Sequence, residues 1–261
     1  MILRRKFKMI KRIIYLSLLL ALPFFANAGD IEHTLFEQGN AQYAKSDFKG
    51  AIQSYQKILG EGYQSEAVYF NLGNAYYKLG EIPSALLYYE KARKLAPGDE
   101  DINFNIQFAN LKTTDKVEDA PQLFLVNWWH SFILAFSANA LAVFSVLFFI
   151  VGFGLLAFYL FTQSITLKKT TFYSGIVLLL FGLITIFMAN RQSQYFTDHH
   201  EAIVFNASVT VKSSPGNASK NLFVIHDGTK VQVVESNNGW MKIRLLNGNE
   251  GWITLADVKE I

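Results

Sequence analysis

The segment Tyr69-Phe70-Asn71-Leu72-Gly73-Asn74-Ala75 closely resembles Leu35-Phe36-Glu37-Gln38-Gly39-Asn40-Ala41, which lies 34 residues earlier. Three further pairs keep the same interval: Ala51 and Ala85, Tyr55 and Tyr89, and Lys57 and Lys91. Glycine and alanine allow helices to approach closely, and the tyrosines supply the bulk that fills the layer between them. The period therefore predicts two helix-turn-helix units, over residues 32–65 and 66–99.

This period and pattern resemble the tetratricopeptide (TPR) repeat, and Pro97 closes the second unit where a helix should stop. A third unit begins at Glu100, but Gln107 stands where the glycine should be and the pattern is lost after Lys112. We therefore predict a capping helix over residues 100–112, and an all-α TPR domain over residues 29–122.

The concave face of a TPR array is where peptides usually lie. The resemblance implies that the ligand-facing positions here are Asn40, Asn71, Asn74 and Asn105. Asn40 and Asn71 match two asparagines of the family's carboxylate clamp, but the basic partners of the clamp are missing. Those asparagines can alternatively be ordinary repeat consensus. The TPR domain has nine Lys/Arg and fourteen Asp/Glu, which favours a basic or neutral partner.

The N-terminal residues 1–28 have the pattern of a secretory signal peptide. Six of the chain's 24 basic residues lie in the first twelve positions, and an apolar run and Ala26-Asn27-Ala28 follow. The alternative is an uncleaved anchor. Without those six residues the chain has 18 basic and 21 acidic side chains, so its net charge of +3 does not indicate a nucleic-acid partner.

Two apolar stretches follow the repeats, in a chain that is 51% hydrophobic and only 17% charged. Residues 138–161 and 172–189 are long enough to cross a bilayer, so membrane lipid is an expected partner. Residues 123–136 contain Trp128 and Trp129, which suit the headgroup region, and are predicted to form an interfacial segment. The alternative, a buried hairpin of a soluble protein, would need a much larger surrounding domain.

The predicted link between the spans, residues 162–171, contains Lys168 and Lys169 and no acidic residue. The positive-inside rule places this link in the cytoplasm. Both flanking domains then face the periplasm, in agreement with the export signal. The sequence predicts a two-pass protein of the inner membrane.

Residues 200–261 change to short alternating apolar runs that are separated by Asx-Gly turns, which are typical of tight hairpins. Four elements occur in the order and at the spacing of bacterial SH3 (SH3b) domains: Val209-x-Val211-x-x-x-Pro215, Gly228-Thr229-x-Val231, Gly239-Trp240-x-Lys242-Ile243 and Gly251-Trp252-Ile253. The resemblance implies a small all-β barrel. Trp240 and Trp252 are either aromatic residues of a binding groove or large side chains that fill the barrel core.

We find no pattern that indicates catalysis. The chain has no cysteine, which excludes thiolate metal sites and cysteine nucleophiles, and its five histidines are scattered. No glycine-rich phosphate loop is present. The sequence therefore predicts no catalytic, metal-binding or cofactor-binding residues, and a protein that is not an enzyme.

The full order of segments resembles that of the BatE family, the TPR-containing membrane proteins of the Bacteroides aerotolerance (Bat) operon. This resemblance includes Asp101-Ile102-Asn103-Phe104-Asn105 and Trp128-Trp129. It implies a membrane complex with von Willebrand factor A proteins and a MoxR-type ATPase, linked to oxidative-stress tolerance and envelope homeostasis. We expect a non-enzymatic scaffold. The alternative is an envelope sensor whose SH3b module binds peptidoglycan and which signals through the membrane hairpin.

Overall fold

The computed structural model describes residues 30–117 and 123–261. The predicted signal peptide, residues 1–28, lies outside these ranges. The N-terminal module is a helical array of α1 Asp30–Ala44, α2 Phe48–Gly60, α3 Glu66–Lys78, α4 Ile82–Leu95 and α5 Glu100–Asn110. Consecutive helices pack against one another. Asp47, Ser65 and Asp99 cap α2, α3 and α5 by accepting a hydrogen bond from the backbone N–H three residues further on.

The repeated glycines bring paired helices into close contact, as the 34-residue period predicts. A methyl group on Gly39 would overlap the ring of Tyr55, and one on Gly73 would overlap the ring of Tyr89. Both rings are almost fully buried, at 1% and 2% exposure. In each unit, a tyrosine of the second helix therefore packs against the glycine of the first helix.

Three helices follow the array: α6 Phe124–Ile133, α7 Ala138–Phe161 and α8 Ile165–Asp198. Ser137 caps α7 through the N–H of Ala140. Only residues 162–164 separate α7 from α8, so Lys168 and Lys169 lie inside α8 rather than in a longer link. The predicted ends of the second span, residues 172–189, lie where the sequence stops being hydrophobic. However, residues 165–174 and 190–198 contain no proline or glycine, and the helix continues through both stretches.

The helices α7 and α8 form an antiparallel hairpin. Gly152 and Gly175 lie at a close backbone contact, since a methyl group on either would come within about 3.2 Å of the other's carbonyl oxygen. Within the described residues, these two helices are long and apolar enough to cross a membrane. Only 17% and 22% of the residues in their most apolar stretches are buried, so neither resembles the core helix of a soluble protein.

The C-terminal module is a seven-stranded antiparallel sheet in the order β3-β2-β6-β5-β4-β1-β7. The strands are β1 Glu201–Val204, β2 Ser208–Lys212, β3 Asn221–His226, β4 Lys230–Asn237, β5 Trp240–Arg244, β6 Glu250–Thr254 and β7 Val258–Glu260. All seven contribute to one buried cluster, so the sheet curls around a single core. The glycines of the three predicted Asx-Gly turns all have positive φ angles.

The helical array and the sheet module pack directly against each other. Ile203 of β1 is buried in the hydrophobic cluster of the array, together with Leu86 and Ala92 of α4. In the other direction, Val117, which follows α5, packs against the core of the sheet. The Nζ atom of Lys94 donates a 2.7 Å hydrogen bond to the carbonyl oxygen of Ile261. The two modules therefore share an interface.

Candidate binding surfaces

The four asparagines predicted to face a ligand form two hydrogen-bonded pairs. Asn71 donates to the Oδ1 atom of Asn40 at 3.0 Å, and Asn105 donates to the Oδ1 atom of Asn74 at 2.9 Å. Asn71 and Asn74 are three residues apart in α3 and share one helix face. The four side chains therefore form a row across α1, α3 and α5, which we call the asparagine row.

Each pair is joined to a tyrosine of the neighbouring helix. The hydroxyl group of Tyr55 donates to the Oδ1 atom of Asn40 at 2.8 Å, and that of Tyr89 donates to the Oδ1 atom of Asn74 at 2.8 Å. Burial raises the pKa of Tyr55 to about 12 and raises that of Tyr89 as well, so both hydroxyl groups remain protonated donors. Asn40 and Asn74 consequently have a structural hydrogen-bonding role.

The asparagine row still has free hydrogen-bonding capacity. Within the described residues, the amide nitrogens of Asn40 and Asn74 and the amide oxygens of Asn71 and Asn105 have no hydrogen-bond partner. All four side chains are half-buried. Each pair can thus offer one donor and one acceptor to a peptide backbone, which carries both complementary groups.

The two tryptophans of the sheet module lie outside its core. Along β5, Met241 and Ile243 are buried while Trp240 is half-buried, and along β6 Ile253 is buried while Trp252 is half-buried. Because alternate residues of a strand point to opposite faces, both indole groups project from the outer face. This placement is contrary to the interpretation that they fill the core.

The tryptophans are neighbours on that face and lie beside charged side chains. Trp240 pairs with Thr254, and Trp252 pairs with Lys242. The two tryptophans are therefore diagonal neighbours on adjacent strands, with Cα atoms about 7–8 Å apart. Lys242 contacts the carboxylate of Glu250 at 2.8 Å. Hydrogen bonds from Lys242 and Arg244 hold the pKa of Glu250 below its usual value, so this acid is ionised at neutral pH.

The interface between the modules contains a cluster of four charged residues. Glu90 is buried in α4, and its carboxylate contacts Arg93 at 2.6 Å and Lys230 at 3.4 Å. Glu201 contacts the same Lys230 at 2.9 Å. Each module thus contributes one acidic and one basic side chain, and the four charges balance across the interface.

A second polar contact is centred on Asp115, which follows α5. The carboxylate of Asp115 accepts hydrogen bonds from the backbone N–H of His226 at 2.6 Å and from the hydroxyl group of Thr229 at 2.7 Å. The Nδ1 atom of His226 lies 2.8 Å from its other oxygen. The threonine hydroxyl bonds to the carboxylate and not to the imidazole, so the arrangement lacks the hydroxyl–imidazole hydrogen bond of a nucleophile activated by histidine.

These interface residues could not be identified from the sequence. Asp115 is 111 residues from His226, and no motif connects them. Likewise, Glu90 and Lys230 belong to different modules whose packing no local pattern encodes. Within residues 30–117 and 123–261, no group of three potential metal ligands is close enough to hold an ion.

Comparison with known proteins agrees with this architecture. The family model of the bacterial SH3 domain matches residues 207–259, and that of the tetratricopeptide repeat matches residues 67–99. No curated protein matches the chain. A solved NlpC/P60 family protein from Bacillus cereus ATCC 10987 is similar at 18% identity and a TM-score of 0.21, over 26% of this chain and 23% of its own. The chain thus spans less than a quarter of that structure.

The tetratricopeptide match falls on α3 and α4, and two residues of the asparagine row, Asn71 and Asn74, lie on the first of these helices. The bacterial SH3 match covers β2 to β6, which include both tryptophans. The chain therefore contains a tetratricopeptide repeat and a bacterial SH3 domain, which are non-catalytic interaction modules.

Proposed function

We propose that this protein is a two-pass inner-membrane scaffold that presents its TPR and SH3b modules together in the periplasm. The observation that carries this proposal is the packing of Ile203 into the hydrophobic core of the helical array. Because the two modules touch, both must lie on the same side of any membrane that the α7–α8 hairpin crosses. A bacterial SH3 domain also fits an envelope location.

The orientation follows from charge. Lys168 and Lys169 lie near the start of α8, at the end of the hairpin that is remote from both modules. Basic residues flank the cytoplasmic ends of membrane helices. With these lysines in the cytoplasm, the TPR and SH3b modules face the periplasm.

The absence of cysteine provides a direct test of this topology. Lys45, Gln163 and Lys220 are exposed, and each can be replaced singly by cysteine in an otherwise cysteine-free chain. We expect a membrane-impermeant maleimide to label Lys45→Cys and Lys220→Cys in spheroplasts, and Gln163→Cys only after permeabilisation. Labelling of Gln163→Cys in intact spheroplasts would exclude the proposed orientation.

The scaffold role rests on the two interaction modules, and the resemblance to the BatE family supplies their partners. We propose that the protein belongs to a Bat-type complex with von Willebrand factor A membrane proteins and a MoxR-type ATPase, with a role in aerotolerance and envelope homeostasis. Purification from the native membrane in mild detergent should recover these partners. Their absence from a preparation in which the protein is intact would exclude this assignment.

The outer face of the sheet module favours a second candidate function, peptidoglycan binding by an envelope sensor. The half-buried Trp240 and Trp252 are adjacent on that face, and partly accessible aromatic rings can stack on ligands. If this function is correct, the detergent-purified protein sediments with purified sacculi, and Trp240→Ala together with Trp252→Ala abolishes sedimentation. Wild-type protein that stays in the supernatant would leave the scaffold as the supported function.

A further inference from the structure

A cavity of about 410 Å³ lies where the helical array, α6 and the first residues of the sheet module meet. Arg93 reaches it from α4, and Asn127, His130 and Ser131 line it from α6. His199 and Glu201 complete the wall at the junction of α8 and β1, and the ring of Tyr195 lies between the histidines. We propose that this cavity binds the phosphate group of a membrane phospholipid.

Several polar groups of the wall are unpaired within the described residues. Within the described residues, the side chains of Asn127, Ser131 and His130 make no hydrogen bond, and the ring of His130 packs edge-on to that of Tyr195 with centroids 5.1 Å apart. The Nδ1 atom of His199 donates to the carbonyl oxygen of Tyr195 at 2.8 Å, which leaves Nε2 of the neutral ring as a free acceptor. These groups are therefore available to a bound ligand.

Arg93 also has free donors for an anion, although its charge is balanced within the interface cluster. Arg93 contacts Glu90 and Glu201 through Nη2, which leaves its Nε and Nη1 donors without a protein acceptor in the described part of the chain. Glu201 is the one carboxylate of the wall and is already paired with Lys230 at 2.9 Å. A guanidinium group beside neutral donors suits a ligand with several oxygen acceptors, and phosphate is such a ligand.

The position of the cavity along α8 indicates that the phosphate belongs to a membrane lipid. This step rests on the proposed membrane hairpin. Tyr195 lies six residues beyond Ala189, the end of the apolar stretch of α8, which is about 9 Å along a helix. The polar layer on each side of a bilayer is about 5–7 Å thick. By these lengths the wall of the cavity lies about 2–4 Å beyond the polar layer, next to the lipid headgroups.

Two features hold the cavity at this depth. The Nε2 atom of Gln192 in α8 donates to the carbonyl oxygens of Ile133 and Phe136 at 3.0 and 2.8 Å, so the end of α6 is fixed beside α8. Phe124 and Trp128 of α6 are exposed, and such apolar side chains can enter the membrane interface. A phospholipid beside α6 thus has its headgroup next to the cavity.

The test is a ligand titration of the full chain in detergent, followed by native mass spectrometry. The probes are dioleoyl phosphatidic acid, dioleoylglycerol, which lacks the phosphate, and glycerol 3-phosphate, which lacks the acyl chains. We expect phosphatidic acid to bind at concentrations at least tenfold lower than either of the others. The double variant Asn127→Leu/Ser131→Leu, which removes two donors and fills the cavity, should weaken this binding about tenfold or more.

Phe132→Leu is the matched control, because Phe132 is on the same helix, is exposed and does not line the cavity. It should bind phosphatidic acid as the wild type does. His130→Phe provides a second test that keeps the ring and its contact with Tyr195 but removes the donors, and it should weaken binding as well.

Each contrary result has a distinct meaning. Equal binding of glycerol 3-phosphate would identify a soluble phosphate ester as the ligand and overturn the lipid assignment. Equal binding of dioleoylglycerol, or unchanged binding by both cavity variants, would overturn the phosphate site. Failure of the topology appears separately as labelling of Gln163→Cys from outside, which the lipid titration does not affect.

Discussion

Asn40 and Asn74 each accept two hydrogen bonds at one amide oxygen, from a buried tyrosine and from the asparagine of the following unit. Asn71 and Asn105 donate to these oxygens and keep their own oxygens free. The same division of roles therefore repeats at the 34-residue interval, since Asn40 is equivalent to Asn74 and Asn71 to Asn105. The first two maintain the array, whereas the second two are better placed to serve a ligand.

We therefore expect Asn74→Ala to lower the free energy of unfolding of the TPR module by about 1–3 kcal/mol, since it leaves the buried hydroxyl of Tyr89 without its acceptor. Asn71→Ala should cost less, about 0.5–1.5 kcal/mol, because the Tyr55 hydroxyl keeps its bond to Asn40. Urea unfolding followed by far-UV circular dichroism measures both. Asn71→Ala with Asn105→Ala should weaken partner co-purification, and unaltered binding would show that the row serves no ligand.

The half-buried position of Trp252 predicts a small effect on stability. Trp252→Ala should lower the free energy of unfolding of the SH3b module by less than about 2 kcal/mol, compared with about 3–5 kcal/mol for a fully buried tryptophan. The adjacent Ile253 is the control, because it points into the core, and Ile253→Ala should cost about 2–5 kcal/mol. A larger loss from Trp252→Ala than from Ile253→Ala in urea unfolding would contradict the outer placement.

At the scale of the helices, close packing depends on a glycine that faces a tyrosine ring. Gly73→Ala should destabilise the pair α3–α4 by about 1–3 kcal/mol, because the new methyl group would overlap the buried ring of Tyr89. Gly60→Ala is the control, since Gly60 ends α2 and a methyl group there would meet no atom within 4 Å. It should be neutral or stabilising. Similar thermal melting of the two variants would disprove this account of the packing.

At the scale of the whole molecule, Asp115 joins the helical array to the sheet module. Burial alone would raise the pKa of its carboxyl group, but hydrogen bonds from Thr229 and His226 outweigh this effect and hold the pKa below the usual 3.8. A lowered pKa means that ionised Asp115 stabilises the docked state above about pH 4. This stabilisation is lost as the pH falls through the lowered pKa.

Asp115→Asn should accordingly weaken docking at neutral pH by about 1.5–3 kcal/mol, the range for hydrogen bonds to a charged group. Spin labels on Lys45→Cys and Lys220→Cys report docking, and we expect the distance distribution between them to broaden in the variant. In the wild type, the same broadening should appear only below about pH 4. Asp227→Asn is the control, because Asp227 adjoins His226 but makes no hydrogen bond to any described residue. An unchanged distribution in Asp115→Asn would show that Asp115 does not hold the modules together.

Short-range patterns in the sequence were sufficient to predict the modules. The 34-residue period predicted the glycine–tyrosine packing, because each unit buries the same residue types in the same local geometry. The turn at Asn238-Gly239 was also predictable, since two consecutive positive φ angles favour this pair of residues. The ends of α8 were less predictable, because hydrophobicity marks the depth of a bilayer and not the end of a helix.

The tertiary structure decided what no local pattern encodes. The outer placement of Trp240 and Trp252 depends on which strand face meets the core, and a one-residue shift in register would reverse it. The contact of Asp115 with His226 and the buried position of Ile203 join segments more than one hundred residues apart. Such contacts form only when two separately encoded surfaces meet. Sequence therefore determined the modules of this protein, and long-range packing determined how they are joined.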